Sequence, residues 1–281
     1  MRLLKQFLAV AAVAFAGRAG MGAVQGNAPL TLVLGVATAV LLLVVYAWSV
    51  RWSERRAPVE VALKGAAPAV GRGLLIGAGM FAAVIVNIAL LGGYRIDGQG
   101  SVTGAVALFG FMAAAVVTEE LIFRGILFRI IEERTGTWVA LTLTGLLFGL
   151  SHLFNEHASL WGAVAIAIEA GGMLAAAYAA TRTLWVPIGL HFGWNFAAAG
   201  VFSAEVSGNG TAQGLLNGVT SGPVLLTGGE FGPEASPYAV LFGVLLTIAF
   251  MWLARRRGNL VPFRRGARPG FRPGADATLP R

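Results

Sequence analysis

Apolar residues fill this chain in long runs, not in the alternation of a strand or the one-sided stripe of a soluble helix. Runs of roughly 18 or more mostly apolar residues predict membrane-spanning helices. They fall at 29–50, 74–93, 102–127, 138–155, 159–180, 184–203 and 237–254. A weaker run covers 4–24 and opens "MRLLKQFLAVAAVAFAG", a basic start and a short apolar stretch. That pattern also fits a cleaved signal peptide, but a retained helix is expected, since Gly/Ala-rich spans are normal in bilayers. The predicted fold is all-α, a polytopic integral membrane bundle of about eight transmembrane helices. No soluble domain fits between the spans, and no internal repeat stands out.

Composition strengthens this reading. The chain is 57% hydrophobic and 12% charged, about half the charge of a soluble domain, and its mean hydropathy is +0.74. It contains no Cys, which excludes disulfides, thiolate metal sites and a Cys nucleophile. A net charge of +8 could suggest nucleic acid, but the placement of the basic residues argues against such a partner. Arg51, Arg55, Arg56, Lys64 and Arg72 lie in one connection, Arg129 and Arg134 in another and Arg182 in a third, while "NEHA" and the Gly/Ser-rich 204–236 carry neither Lys nor Arg. With eight spans every basic segment falls on one side, the positive-inside pattern. Both termini are therefore expected in the cytoplasm, in a bacterial inner (cell) membrane. The chain divides into a first helix (1–28), N-terminal spans (29–100), a polar-motif region (101–203), an outer loop with the last span (204–254) and a basic tail (255–281). The 204–236 connection reads as flexible and the tail as disordered, with anionic lipid head groups of the bilayer within its reach.

Against this background a few polar residues stand out. "EELIFR" holds Glu119, Glu120 and Arg124, "FGLSH" holds Phe148 and His152, and "HFGWN" holds His191 and Asn195. Within each stretch a spacing of four residues puts two members on one helix face. Glu120 and Arg124 can neutralise one another, whereas Glu119 points about 100° away and is left as a spare carboxylate. Glu119 and His152 stand equally far from the turn "RTGTW", so in an antiparallel hairpin they share a level roughly 25 Å above it. Counting from "TRTLW" puts His191 at a similar depth. The shared layer is expected about 10–15 Å inside the cytoplasmic boundary, by the same rise per residue.

Each of these residues also has a structural reading. A Glu–Arg pair can simply hold helices together, a lone intramembrane His can bond a neighbouring helix, and Phe148 can be packing. Glu169, in "AIAIEAGGM", suits a water-filled cavity wall or a helix contact equally well. His157 is expected to be solvated. Two His, an Asn and a spare Glu at one depth point instead to function, since ionisable groups inside a membrane are expensive. A proton-coupled transporter or a non-catalytic scaffold are the alternatives, although repeats and broken helices typical of transporters are not seen. No HExxH, GxSxG or GxGD occurs.

The three stretches resemble the motif set EExxxR, FxxxH and HxxxN of the CAAX-protease and bacteriocin-processing (CPBP, or Abi) family of intramembrane endopeptidases. The similarity covers about residues 100–203, which would make 101–203 the catalytic core. It implies hydrolysis of a peptide bond in a membrane-associated protein or peptide substrate. Glu119 would be the general base that activates water, assisted by His152. His191 and Asn195 would hold the developing oxyanion, with Glu120, Arg124 and Phe148 in support. Family members are often labelled metalloproteases. Two His and a Glu (His152, His191 and Glu119) can hold zinc, but with Glu119 as base the remaining set of two His and an Asn is a poor zinc site. Metal-free catalysis is the expectation.

Overall fold

The computed structural model describes residues 1–210 and 213–263. Among these, seven helices are long and apolar enough to cross a membrane: α1 (Arg2–Ala23), α2 (Ala28–Glu54), α3 (Ala66–Leu90), α4 (Val102–Thr135), α5 (Thr137–Phe154), α6 (Leu160–Thr181) and α8 (Pro237–Arg256). Between the last two lies α7, residues 185–201, in which 11 residues of α-helix pass into 6 of π-helix. At about 1.5 Å per residue α7 rises roughly 25 Å, less than the ~30 Å hydrocarbon core. It is an interior helix, with Trp185, Leu190, His191 and Trp194 all buried. The protein is a multi-pass membrane bundle.

Close backbone contacts set the helix order. Gly73 and Gly77 on α3 face Gly189 and Gly193 on α7, the small-xxx-small spacing that lets membrane helices approach. A Cβ at Gly77 would stand 2.0 Å from the Leu190 carbonyl oxygen, and one at Gly193 would stand 2.3 Å from that of Leu74. Since Gly189 and Gly193 press on α3, the remaining faces of α7 carry His191 and Asn195 into the bundle. α2 and α4 meet in the same way through Gly35 and Gly110. α1 is built into the bundle: Val10 is fully buried, and Gln6 donates to Ser53 and Glu54 and accepts from Arg129.

Two sequence expectations are corrected here. The 204–236 connection is not a loose outer loop. Its strand β2 (Leu216–Thr220) pairs antiparallel with β1 (Tyr94–Gln99), Tyr94 opposite Thr220 and Ile96 opposite Gly218. It also buries Val206, Phe231, Glu234 and Ser236 against the helix ends. Its Gly/Ser content read as flexibility because the groups that satisfy its backbone lie far away in sequence. The tail is likewise not free from 255 onward. α8 continues to Arg256, and beyond it Arg257 and Asn259 donate to the Ala180 carbonyl at 3.0 and 2.9 Å, while Val261 exchanges hydrogen bonds with Thr137. The expectation of disorder for 264–281 lies outside the described residues.

Ionic contacts gather at the basic connections. Arg129 grips Glu54 with two nitrogens at 2.7 and 2.8 Å. Arg56 reaches Glu60 at 2.8 and 2.9 Å, and Arg182 bonds Glu132.

Candidate active site

Glu119 and Glu120 close the regular part of α4, and the helix widens to a π-helix over Leu121–Phe128 immediately afterwards. Further π segments carry Glu169 (Ala167–Gly172) and directly follow Asn195 (Phe196–Val201). Such widenings concentrate at functional sites because they re-aim side chains within an otherwise continuous helix.

Being consecutive, the two glutamates point in different directions. Glu120 is fully buried and faces the interior. Its Oε1 accepts from Arg124 at 2.9 Å and lies 2.8 Å from His191 Nδ1. Arg124, 1% exposed, also donates to the Ala170 carbonyl at 3.1 Å and lies 4.6 Å over the Phe148 ring. The side chain of Glu119 is about one-third exposed (35%), and its Oε2 lies 3.8 Å from His191 Nε2, beyond hydrogen-bond length. His191 therefore bridges the two carboxylates. Charge spacing alone gave Glu120 to Arg124 and left the histidines to Glu119. In the folded protein Glu120 also holds one face of His191, and Glu119 faces the ring's free nitrogen.

His152 terminates the regular part of α5. Its Nδ1 lies 2.7 Å from the Phe148 carbonyl oxygen, which can only accept. Nδ1 therefore carries the proton, and Nε2 is free for chemistry. Phe148 is the hub: its ring centroid is 4.8 Å from His152, 6.0 Å from His191 and 4.9 Å from Phe123. Glu119, His152 and Asn195 line one cavity of about 240 Å³. Its further walls are Arg18 and Phe111 from α1 and α4, and Ser207, Asn209 and Gly210 from the outer segment. All seven residues singled out by the motifs thus stand in one continuous neighbourhood. Glu169 does not line this cavity. It is fully buried, with Cα and Cβ packed against Gly243, and neither carboxylate oxygen has a hydrogen-bond partner among the described residues.

Three neighbours of the site escaped the sequence. Arg18 was visible as a cation inside the first apolar run, but nothing local says which way it faces. Ser207 and Glu234 stand in a stretch without periodicity and had no signal at all.

Whether these residues fit a metal depends on the donors they leave open. One ring nitrogen of each histidine is engaged, by Glu120 and by the Phe148 carbonyl. Among the described residues no group of three His, Cys, Asp or Glu is placed to hold a metal ion. In both histidines the engaged nitrogen is Nδ1, which leaves Nε2 open, the orientation a histidine metal ligand itself adopts.

Residues 101–197 match the family model described as type II CAAX prenyl endopeptidase Rce1-like, a span that contains every motif residue from Glu119 to Asn195. This match lies over the segment that forms the site and takes in 97 of the 281 residues, so over that segment the chain is similar to the type II CAAX prenyl endopeptidase family. Among curated proteins it is similar to "Putative membrane peptidase YdiL" of Bacillus subtilis (strain 168), with 34% identity over 79 residues, 28% of this chain. The match spans 30% of the length of that relative. No solved structure matches.

Proposed function

We propose that this protein is an intramembrane endopeptidase that hydrolyses a peptide bond of a membrane-associated protein or peptide. One observation carries the reading: Glu119 is a carboxylate with an oxygen that takes no hydrogen bond among the described residues, turned toward His191 Nε2 and sharing a cavity with His152 and Asn195.

In this mechanism Glu119 takes a proton from water as the water oxygen attacks the scissile carbonyl carbon. His152 Nε2 orients that water. The carbonyl π electrons move onto oxygen, where the Asn195 amide and a proton on His191 Nε2 stabilise the charge as it forms. Glu120 holds the His191 ring and offsets its charge in that state. When the C–N bond breaks, the amine leaves with the proton held by Glu119, which restores the carboxylate. The proposed setting is a bacterial inner membrane with both termini in the cytoplasm; a reporter fused after Arg257 should be active only inside the cell.

The test is cleavage of a library of apolar transmembrane peptides reconstituted with the purified protein in liposomes, with new termini read by mass spectrometry. Wild type should produce them and Glu119→Gln should not. Equal products from both would end the general-base role. No products from either, together with Glu119-dependent proton uptake into the liposomes, would favour a carrier instead.

A further inference from the structure

Glu234 lies outside the membrane-spanning helices, in the connection that the sequence gives no reason to join to a catalytic site. It is nevertheless only 2% exposed. Its Oε1 accepts the Trp194 indole N–H at 3.0 Å. Its Oε2 accepts the Ser207 backbone N–H at 2.6 Å and the Ser207 hydroxyl at 2.7 Å. Three donors converge on the carboxylate, an arrangement that suits its charged form.

Each bonded group adjoins a residue of the proposed mechanism. Trp194 immediately precedes Asn195, and its ring is fixed edge-on against Phe81 with centroids 5.4 Å apart. The Ser207 carbonyl accepts from Asn155 at 2.6 Å, three positions after His152 in the same short turn. Glu234 therefore joins the end of α5, the middle of α7 and the outer segment. A small cavity of about 10 Å³ is bounded jointly by Glu234, Ser207, His152, His191 and Asn195, a space on the scale of one water molecule. Burial pushes the Glu234 carboxyl above its usual range, with the Ser207 hydrogen bonds and the facing His152 drawing it back.

We propose that Glu234 is a positioning residue of the peptidase site, holding His152 from the loop side and seating Asn195 through Trp194. The catalytic arrangement is then completed by the outer segment as well as by the three motif helices. The inference rests on the reading above that His152 and Asn195 serve hydrolysis. A purely structural latch would bind the same partners, so the test must separate orientation from stability.

Glu234→Gln keeps the side-chain volume and one acceptor oxygen but removes the charge and introduces an amide donor among donors. In protein reconstituted in nanodiscs with ¹⁵N-labelled histidine, the ring signals of His152 (assigned with His152→Gln) should shift or broaden in this variant. In peptide cleavage kcat should fall about tenfold or more while KM stays within about twofold. Glu234→Asp should recover part of kcat. Ser207→Ala, which removes only the hydroxyl donor, should move both readouts in the same direction by less, and it serves if Glu234→Gln does not fold. Unchanged His152 ring signals and kcat, with only a lower melting temperature, would overturn the assignment and leave Glu234 a latch. A wild-type protein that cleaves no peptide would defeat the peptidase reading, and the His152 ring signals would still decide whether Glu234 orients that residue.

Discussion

Glu120 and His191, 71 positions apart in sequence, meet at 2.8 Å through one carboxylate oxygen and one ring nitrogen, and the same oxygen takes the Arg124 guanidinium at 2.9 Å. The pair that neutralises the arginine is therefore also the mount of a proposed catalytic ring. Glu120→Gln strands a guanidinium that is 1% exposed, and breaking a buried pair costs about 3–5 kcal/mol. A detergent melting series should show that loss. Adding Arg124→Met should restore part of the stability, because no unpaired charge remains. It should not restore cleavage, because the neutral amide of Glu120→Gln no longer offsets the charge on the His191 ring. A double variant that recovers both would show that Glu120 serves Arg124 alone.

Glu119→Gln should behave differently. The side chain is partly exposed and makes no hydrogen bond among the described residues, so the melting temperature of the variant should stay close to wild type. Loss of a general base costs on the order of 10²–10⁴ in rate. Peptide cleavage and melting measured on one preparation separate this variant from Glu120→Gln.

The mounting of α7 can be tested away from the chemistry. A methyl at Gly77 meets the Leu190 carbonyl at 2.0 Å, and backbone cannot yield as a flexible side chain would. Gly77→Ala should cost roughly 1–3 kcal/mol, as overpacking does, and should lower cleavage by displacing His191 and Asn195. Gly79→Ala is the control: two positions along the same helix, its Cβ meets nothing within 4 Å. Equal melting temperatures for the two variants would mean that α7 is not seated by this approach.

The bundle was legible in sequence because a bilayer demands long apolar runs, and seven of the eight runs fold into helices of spanning length. The eighth, α7, is shorter and buried, but it still runs from the basic connection at Arg182 to the outer segment, so the eight passes leave both chain ends beside the basic connections. The site was legible for a similar reason: charge is costly in an apolar chain, so Glu119, Glu120, Arg124, His152 and His191 stood out, and spacing of four gave their shared faces. Spacing could not give the π segments, which begin directly after Glu120 and Asn195. Nor could it show that His191 lies between the two glutamates, a matter of one ring's orientation. The outer segment was misread as flexible, because Glu234, Ser207 and strand β2 find their partners 27 to 126 positions away.

The pH response of stability should report a group outside the helices. Glu60 stands between α2 and α3, with its side chain 2% exposed. Burial by itself would push its carboxyl up. Arg56 at 2.8 Å and the Tyr46 hydroxyl at 2.6 Å outweigh that, and the net shift is downward. A carboxyl lowered by folding contributes stability that is present above the unfolded glutamate value, about 4.3. That contribution is lost as pH falls through the lower folded value. Glu60→Gln should therefore destabilise the protein at pH 7 by about 2 kcal/mol, the scale of a hydrogen bond to a charged group. Arg56, 31% exposed, keeps Glu54 at 2.7 Å, and the buried Arg129, which also faces Glu60 at 3.6 Å, keeps Glu54 at 2.7 Å, so the substitution leaves no buried cation without a partner. Below about pH 4 wild type should lose stability faster than the variant, and the two melting curves should converge as Glu60 protonates. Melting temperatures recorded in nanodiscs from pH 7 to about pH 3.5 give the comparison. A gap that stays constant over that range would mean that the Arg56–Glu60 contact adds nothing through its charge.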